Sequence, residues 1–82
     1  MLEQVNEKID VLVAFRKKGE VLPLSFDWDN RKYCVNKVNL VHSEKKGSNK
    51  WYHFSVSSNE SYFKLGFDTG NHAWVLEEAY LA

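Results

Sequence analysis

The stretch Leu22-Pro23-Leu24-Ser25-Phe26-Asp27-Trp28 decides the fold, because a large apolar side chain occupies every second position. A spacing of two is that of a β-strand with one dry face and one wet face. The pattern predicts a dry face of Leu22, Leu24, Phe26 and Trp28. It places Pro23 on the outer face, and because proline has no N–H to donate, this position should lie at an edge or a bulge.

The same alternation recurs on both sides of this stretch, in segments separated by short polar turns: 9–16, 33–40, 52–56, 63–67 and 74–76. Strands joined by such short turns must be antiparallel neighbours, since parallel crossovers need a dozen residues or more. A meander with one apolar face has to curl to cover that face. The sequence therefore predicts an all-β fold, a five- to six-stranded antiparallel meander curled into a small SH3-like barrel or half-barrel, with an OB-like barrel as the alternative.

Three segments depart from simple alternation. The third strand has Tyr33 and Val35 on one phase and Val38 and Leu40 on the other, which predicts a β-bulge near Asn36-Lys37. Residues 42–50 are polar and basic, and we expect a loop there. Residues 1–7 are weakly patterned and fit a frayed start, a helical turn, an extra strand or a segment that covers an apolar patch.

Length and composition indicate one domain over residues 1–82, with 44% apolar and 15% aromatic residues to build its core. Cys34 is the only cysteine, so no intrachain disulfide can form, which favours a reducing compartment. No basic-then-apolar leader is present, and the longest apolar run, 11–15, is too short to cross a bilayer. We expect a cytoplasmic protein without membrane contact.

A set of core and turn positions resembles a family of small bacterial all-β domains of unknown function. The resemblance covers roughly residues 9–76 and lies in Ala14-Phe15, the Lys18-Gly19 turn, Pro23-x-x-Phe26-x-Trp28, Tyr33-x-Val35 with Val38, Trp51-Tyr52, Phe63-x-Leu65-x-Phe67 and Trp74-x-Leu76. It implies a small all-β module that stands alone or is appended to a larger protein. It implies no catalytic or binding residue.

The formal charge is zero but unevenly distributed, because residues 16–50 carry nine basic and four acidic side chains. Alternate turns of a meander lie at one end of the sheet, so the 16–20 turn and the 43–50 segment should be neighbours. The candidate nucleic-acid-binding residues at this end are Arg16, Lys17, Lys18, Lys45, Lys46, Lys50 and Trp51. Small barrels bind single strands with aromatic side chains beside a basic groove.

Several apolar side chains are predicted to face away from the core, and they are the candidate partner-binding residues: Leu12, Ala14, Pro23 and Tyr62. Exposed apolar groups beside open strand edges suit self-association or capture of a peptide by strand addition. We therefore expect a non-catalytic module that binds a protein partner or forms a homo-oligomer. Single-stranded nucleic-acid binding is the alternative.

No catalytic or metal site is predicted, and no cofactor. Asp68-Thr69-Gly70 spells the aspartic-protease tripeptide, but Asp, Gly and Asn are also the residues that a hairpin turn selects. The possible metal ligands lack the close spacing that makes a site legible: His42, His53, His72 and Cys34. We expect three surface histidines, of which His53 alternates outward from Tyr52 and Phe54, and a half-buried cysteine. The carboxylate pairs Asp27/Asp29 and Glu77/Glu78 are expected on a solvated surface.

Overall fold

The computed structural model describes residues 2–82, and the regular elements in this range are seven β-strands. They are β1 (Leu2–Phe15), β2 (Val21–Trp28), β3 (Arg31–Cys34), β4 (Lys37–Lys46), β5 (Asn49–Ser58), β6 (Ser61–Asp68) and β7 (Ala73–Tyr80). All neighbours are antiparallel, in the order β3-β2-β1-β7-β6-β5-β4. The predicted all-β antiparallel sheet curled into a half-barrel is confirmed, whereas the predicted number of five or six strands is wrong. The predicted meander is interrupted once, because β3 and β4 follow each other in sequence but lie at the two ends of the strand order, and β1 pairs with β7 instead. Within residues 2–82 the chain forms no helix of the length and apolarity needed to traverse a bilayer.

The strand β1 has two different partners along its length. Its first part, from Leu2 to Ile9, pairs with β7, and its second part, from Asp10 to Phe15, pairs with β2. Its apolar side chains Val5, Ile9, Val11 and Val13 pack against the core. Most of the weakly patterned segment is therefore strand, and Met1 lies outside the described residues.

The core lies on the inner face of the curled sheet. Its buried apolar residues are Phe26, Phe54, Val56, Phe63, Leu65, Phe67, Trp74, Leu76 and Ala79. The Phe26 ring meets the Phe63 ring edge-on with 5.0 Å between centroids, so β2 packs directly on β6 across the interior. The Phe67 and Trp74 rings stack at 4.6 Å. Aromatic pairs of this kind add to the stabilisation that burial of their area supplies.

The phase change between Val35 and Val38 marks a change of partner. Val35 N donates to Leu24 O of β2 at 2.9 Å, and Asn36 N donates to Ser57 O of β5 at 2.8 Å. Val35 thus bonds to one end of the sheet and Asn36 to the other, and at these two residues the chain passes from β3 to β4. Residues 35–36 join two strands that the sequence pattern had merged into one. The bulge predicted near Asn36-Lys37 lies slightly further on, at Asn39, where the register with β5 shifts between Val38 and Leu40.

The basic segment 42–50 is a hairpin and not the predicted loop. β4 continues to Lys46 and β5 starts at Asn49, which leaves a two-residue turn. Gly47 has φ of 62°, as the first position of a type II′ turn requires. This turn matches the twist of the strands, so the pairing runs to the tip.

A bulge in β2 reverses its alternation. Leu12 pairs with Ser25 and Val13 pairs with Pro23, so Leu24 is the extra residue. Pro23 is less than 2% exposed, whereas Leu24 is 40% exposed. The predicted outward position of Pro23 and the predicted inward positions of Leu22 and Leu24 are therefore wrong, although the expectation of a bulge or edge at the proline is confirmed.

Replacing a core leucine should destabilise the protein far more than replacing the leucine that the bulge turns outward. We expect Leu65→Ala, at a side chain with 0% exposure, to lower the free energy of unfolding by about 2–5 kcal/mol because a cavity is left. Leu24→Ala should cost less than about 1 kcal/mol. Urea denaturation of both variants measures the difference, and equal losses would contradict the inward–outward assignment.

Candidate functional site

An aliphatic patch lies on the outside of β1 and β2, and we call it the β1–β2 patch: Leu12, Ala14, Leu22 and Leu24. None of these side chains belongs to the core or packs against it, and Leu12 is 60% exposed. Ala14 and Leu22 are paired across the two strands. The structure thus places the candidate residues Leu12 and Ala14 on one surface. Pro23 was expected there too, but Leu22 and Leu24 of β2 lie there instead.

Charges of opposite sign flank the β1–β2 patch along the strand direction. At one end Asp10 and Asp27 pair across β1 and β2. At the other end β1 runs into the turn that carries Arg16, Lys17 and Lys18, all of them exposed. Arg16 follows Asp10 by six positions along the chain, or roughly 20 Å in extended backbone. The patch is therefore apolar in the middle, acidic at one end and basic at the other.

Tyr62 belongs to a different surface from Leu12. It pairs across strands with Tyr80, and Tyr80 pairs with Leu2. These three side chains are 55%, 50% and 57% exposed, and the two phenol rings are 6.5 Å apart. Leu2 and Leu12 lie near opposite ends of β1, so the structure does not bring Tyr62 to the patch.

A buried histidine lies on the outer face of β5, between two carboxylates. His53 Nδ1 is 2.8 Å from Glu77 Oε1, and His53 Nε2 is 2.7 Å from Glu44 Oε1. Both contacts are hydrogen bonds at once when each ring nitrogen carries a proton, which is the arrangement of an imidazolium held by two carboxylates. His53 faces outward as its alternation predicts, but at 5% exposure it is not the expected surface histidine.

Two aromatic rings and one glycine complete the surroundings of His53. The His42 ring stacks on the His53 ring at 4.9 Å, and the Trp51 ring is nearly parallel to it at 6.2 Å. Opposite His53 on β6 is Gly66. A Cβ there would be 3.0 Å from Glu77 Oε2 and 3.2 Å from Trp51 Cζ3, so the missing side chain makes room for both groups to reach over the sheet.

The hydrogen bond from His53 lowers the pKa of Glu44. Desolvation opposes this effect, and the charges of His53, Lys46 and His42 add to it. Lys46 Nζ lies 3.7 Å from Glu44 Oε1 and 4.7 Å from the centroid of the Trp51 ring. The polar groups of this surface thus bind one another.

The described residues hold no grouping of three His, Cys, Asp or Glu side chains that could bind a metal ion. His42 and His72, which the turn order allows to approach each other, are apart: His42 stacks on His53, and His72 lies 6.3 Å from the Phe67 ring. Cys34 is exposed on β3 rather than half-buried.

Asp68-Thr69-Gly70 forms a turn, and its aspartate is used structurally. Asp68 is 4% exposed, and its Oδ1 accepts a hydrogen bond from Gly70 N at 2.9 Å. Its Oδ2 accepts one from Asn71 Nδ2 at 3.2 Å. Thr69 binds Lys50 O through both its N–H and its hydroxyl. The turn interpretation is confirmed, and the contact joins this turn to the β4–β5 hairpin.

The basic end contains an open cavity of about 350 Å³, which we call the seam cavity because it lies where β2 and β4 are not paired. Its lining residues are Lys18, Gly19, Glu20, Val21, Val41, Tyr52 and Phe54. Lys50 Nζ lies 5.1 Å from the Tyr52 ring centroid. The structure thus places Lys18 and Lys50 at one end, beside Tyr52, whereas Lys46 and Trp51 contact each other on the outer face.

Comparison of the chain with protein-family models, with curated proteins and with solved structures found no match.

Removing the imidazole should raise the pKa of Glu44 toward its ordinary value of 4.5. A carboxyl whose pKa is lowered in the fold stabilises the protein at pH values above its ordinary pKa. This contribution to stability is lost as the pH falls through the lowered pKa. We expect His53→Leu to abolish most of the shift and His42→Leu, which removes only the smallest of the causes, to leave most of it. Carboxyl carbon NMR titration measures both, and an unchanged Glu44 in His53→Leu would contradict the assignment.

Proposed function

We propose that the protein is a non-catalytic interaction module that pairs with a second copy of itself through the β1–β2 patch. The observation that carries the proposal is the patch itself, four aliphatic side chains turned away from the core between an acidic end and a basic end. Contiguous exposed apolar surface of this kind is typical of protein interaction sites.

The charge pattern favours a second copy as the partner. A two-fold axis through the patch brings each surface against itself in the opposite direction, as in an isologous dimer. Asp10 and Asp27 of one copy then face Arg16 and Lys17 of the other, twice. The formal net charge is zero, so two copies approach without long-range repulsion.

Burial of leucine side chains supplies the attraction in this arrangement, at about 25 cal/mol per Å² of apolar surface removed from water. The charged ends select the antiparallel orientation, because a parallel arrangement would bring like charges together. Neither contribution requires a cofactor or a change of fold. The SH3-like architecture expected from the sequence stays a prediction, and the proposal does not depend on it.

Sedimentation equilibrium of the full chain tests the proposal. We expect the wild type to form a dimer at high concentration and Leu12→Lys to weaken it by at least about tenfold, because a lysine would be buried without a partner. Tyr62→Lys is the matched control, since it adds the same charge at an equally exposed position on another surface. A wild type that stays monomeric, or a Tyr62→Lys variant that loses the dimer equally, contradicts the proposal.

Charge reversal tests the antiparallel orientation separately. Asp27→Lys alone and Lys17→Glu alone should each weaken the dimer, and the double variant should recover a large part of the loss because the pair is restored with its signs exchanged. Losses that simply add in the double variant would show that the two ends do not meet.

Single-stranded nucleic-acid binding is the competing function. It is supported by Lys50, which lies over the Tyr52 ring, and by Lys18, which lines the same cavity as Tyr52. The geometry favours it less, because Trp51 already has Lys46 against one face of its ring and Gly66 under its edge. Titration with mixed oligonucleotides separates the two functions. Tryptophan quenching that weakens with added salt would support the nucleic-acid function, since phosphate contacts depend on salt.

A further inference from the structure

The strand β4 has a long free edge. It pairs with β5 on one side only and ends the sheet on the other. The two-residue turn makes Lys46 and Asn49 a hydrogen-bonded pair, so the alternate residues Val41, Ser43 and Lys45 direct their N–H and C=O groups toward the free edge. Such a row of backbone groups is a template for another strand.

The free edge of β4 faces a second incomplete edge across the seam cavity. β3 pairs with β2 only from Ser25 onward, so within the described chain residues 21–24 of β2 have no strand beside them on that side. Val35 N donates to Leu24 O at the end of this stretch. The seam cavity is lined by Val21 of β2 on one side and by Val41 of β4 on the other.

The walls of the seam cavity are apolar, and lysines lie at its rim and beside it. Val21, Val41, Tyr52 and Phe54 supply the walls, and Val41 is 48% exposed. Lys45 lies on the same face of β4 as Val41 and pairs across strands with Lys50. The charged residues of the lining itself are Lys18 and Glu20. The excess of positive charge therefore comes from Lys45 and Lys50, which lie beside the cavity next to Tyr52.

We propose that the seam is a second binding site, in which an extended acidic peptide from a partner protein pairs with the edge of β4 and places an aliphatic side chain in the seam cavity. Pairing with the backbone supplies the direction of the peptide, and the cavity selects the side chain. Asp or Glu residues flanking the aliphatic anchor meet Lys18, Lys45 and Lys50. The site is separate from the β1–β2 patch and does not require self-association.

Ser43→Pro is the variant that isolates the backbone contribution. Proline removes the N–H of Ser43, which points to the free edge and takes no part in the β4–β5 ladder, so the fold should tolerate it. Ser43→Ala is the matched control because it keeps the N–H and loses only the exposed hydroxyl. Val41→Asp is an independent variant, since it places a negative charge in the cavity, where it would repel an acidic peptide, at an exposed position.

A displayed library of random peptides is selected on the full wild-type chain, and the most enriched peptide is synthesised and labelled for fluorescence polarisation. We expect enrichment of peptides with alternating aliphatic residues flanked by Asp and Glu. Binding of the synthetic peptide should weaken by about tenfold or more in Ser43→Pro and Val41→Asp, stay unchanged in Ser43→Ala, and decline with salt. Amide hydrogen exchange at Ser43 and Lys45 should slow when the peptide is added.

Four results would overturn the proposal. The first is that no peptide is enriched on the wild type relative to the Ser43→Pro variant, and the second is that the enriched peptides are basic. The third is selection of peptides that copy this chain's own strands, which would identify a second copy as the occupant. The fourth is displacement of the peptide by a single-stranded oligonucleotide. The Leu12→Lys variant keeps this test apart from self-association, because it should bind the peptide as tightly as the wild type whether or not a dimer forms.

Discussion

The backbone of β1 is shared between two neighbours, and the shape of the molecule depends on that division. β7 takes its first half and β2 its second half, with a register shift in each half. Bulges increase local twist and bend a strand, so the sheet turns over at β1 and lays the face of β2 against β6. The contact of Phe26 with Phe63 is the result. Without the change of partner along β1, the apolar faces would stay on one open sheet with nothing to cover them.

The same division determines where the sheet fails to close. β3 and β4 are the two ends of the strand order, and the curl brings them near each other without pairing them. Val35 and Asn36 hold this junction through one backbone bond to each side. The sheet is continuous at β1, which pairs with both β2 and β7, and the gap therefore lies on the opposite side, between β3 and β4. A fully paired barrel of the same strands would have neither the free edge of β4 nor the cavity beside it.

The alternation of apolar side chains was sufficient to predict the class of fold, because a period of two leaves few alternatives once the turns are short. It was not sufficient to predict the partners. The phase change between Val35 and Val38 looks the same whether a strand bends or a new strand begins, and only contacts distant in sequence distinguish the two. At Pro23 the missing N–H did indicate a bulge or an edge. A bulge reverses the alternation of a strand, and applying that reversal to β2 would have placed Leu22 and Leu24 on the outer face.

The outer surface was harder to predict than the core for a related reason. Alternation placed His53 outside, which is correct, but burial there depends on what neighbouring strands contribute. Glu44, Trp51 and Glu77 close over the ring from three directions, and only the register of β4, β5 and β7 brings them together. The one local signal was Gly66, a residue without a side chain in the middle of a strand pattern, which often marks the close approach of other groups.

The pairing of β1 with β7 also imposes an order in time. β1 is synthesised before the other six strands described, and the ladder at Leu2 cannot form until Tyr80 at the end of β7 has been made. Until then Val5 and Ile9 have no neighbour on that side, and a growing chain on the ribosome can build only local hairpins. Contacts this distant in sequence are typical of proteins that fold in about milliseconds to seconds rather than microseconds. Completion of the sheet therefore waits for β7, and β1 is the strand that stays longest without one of its two partners.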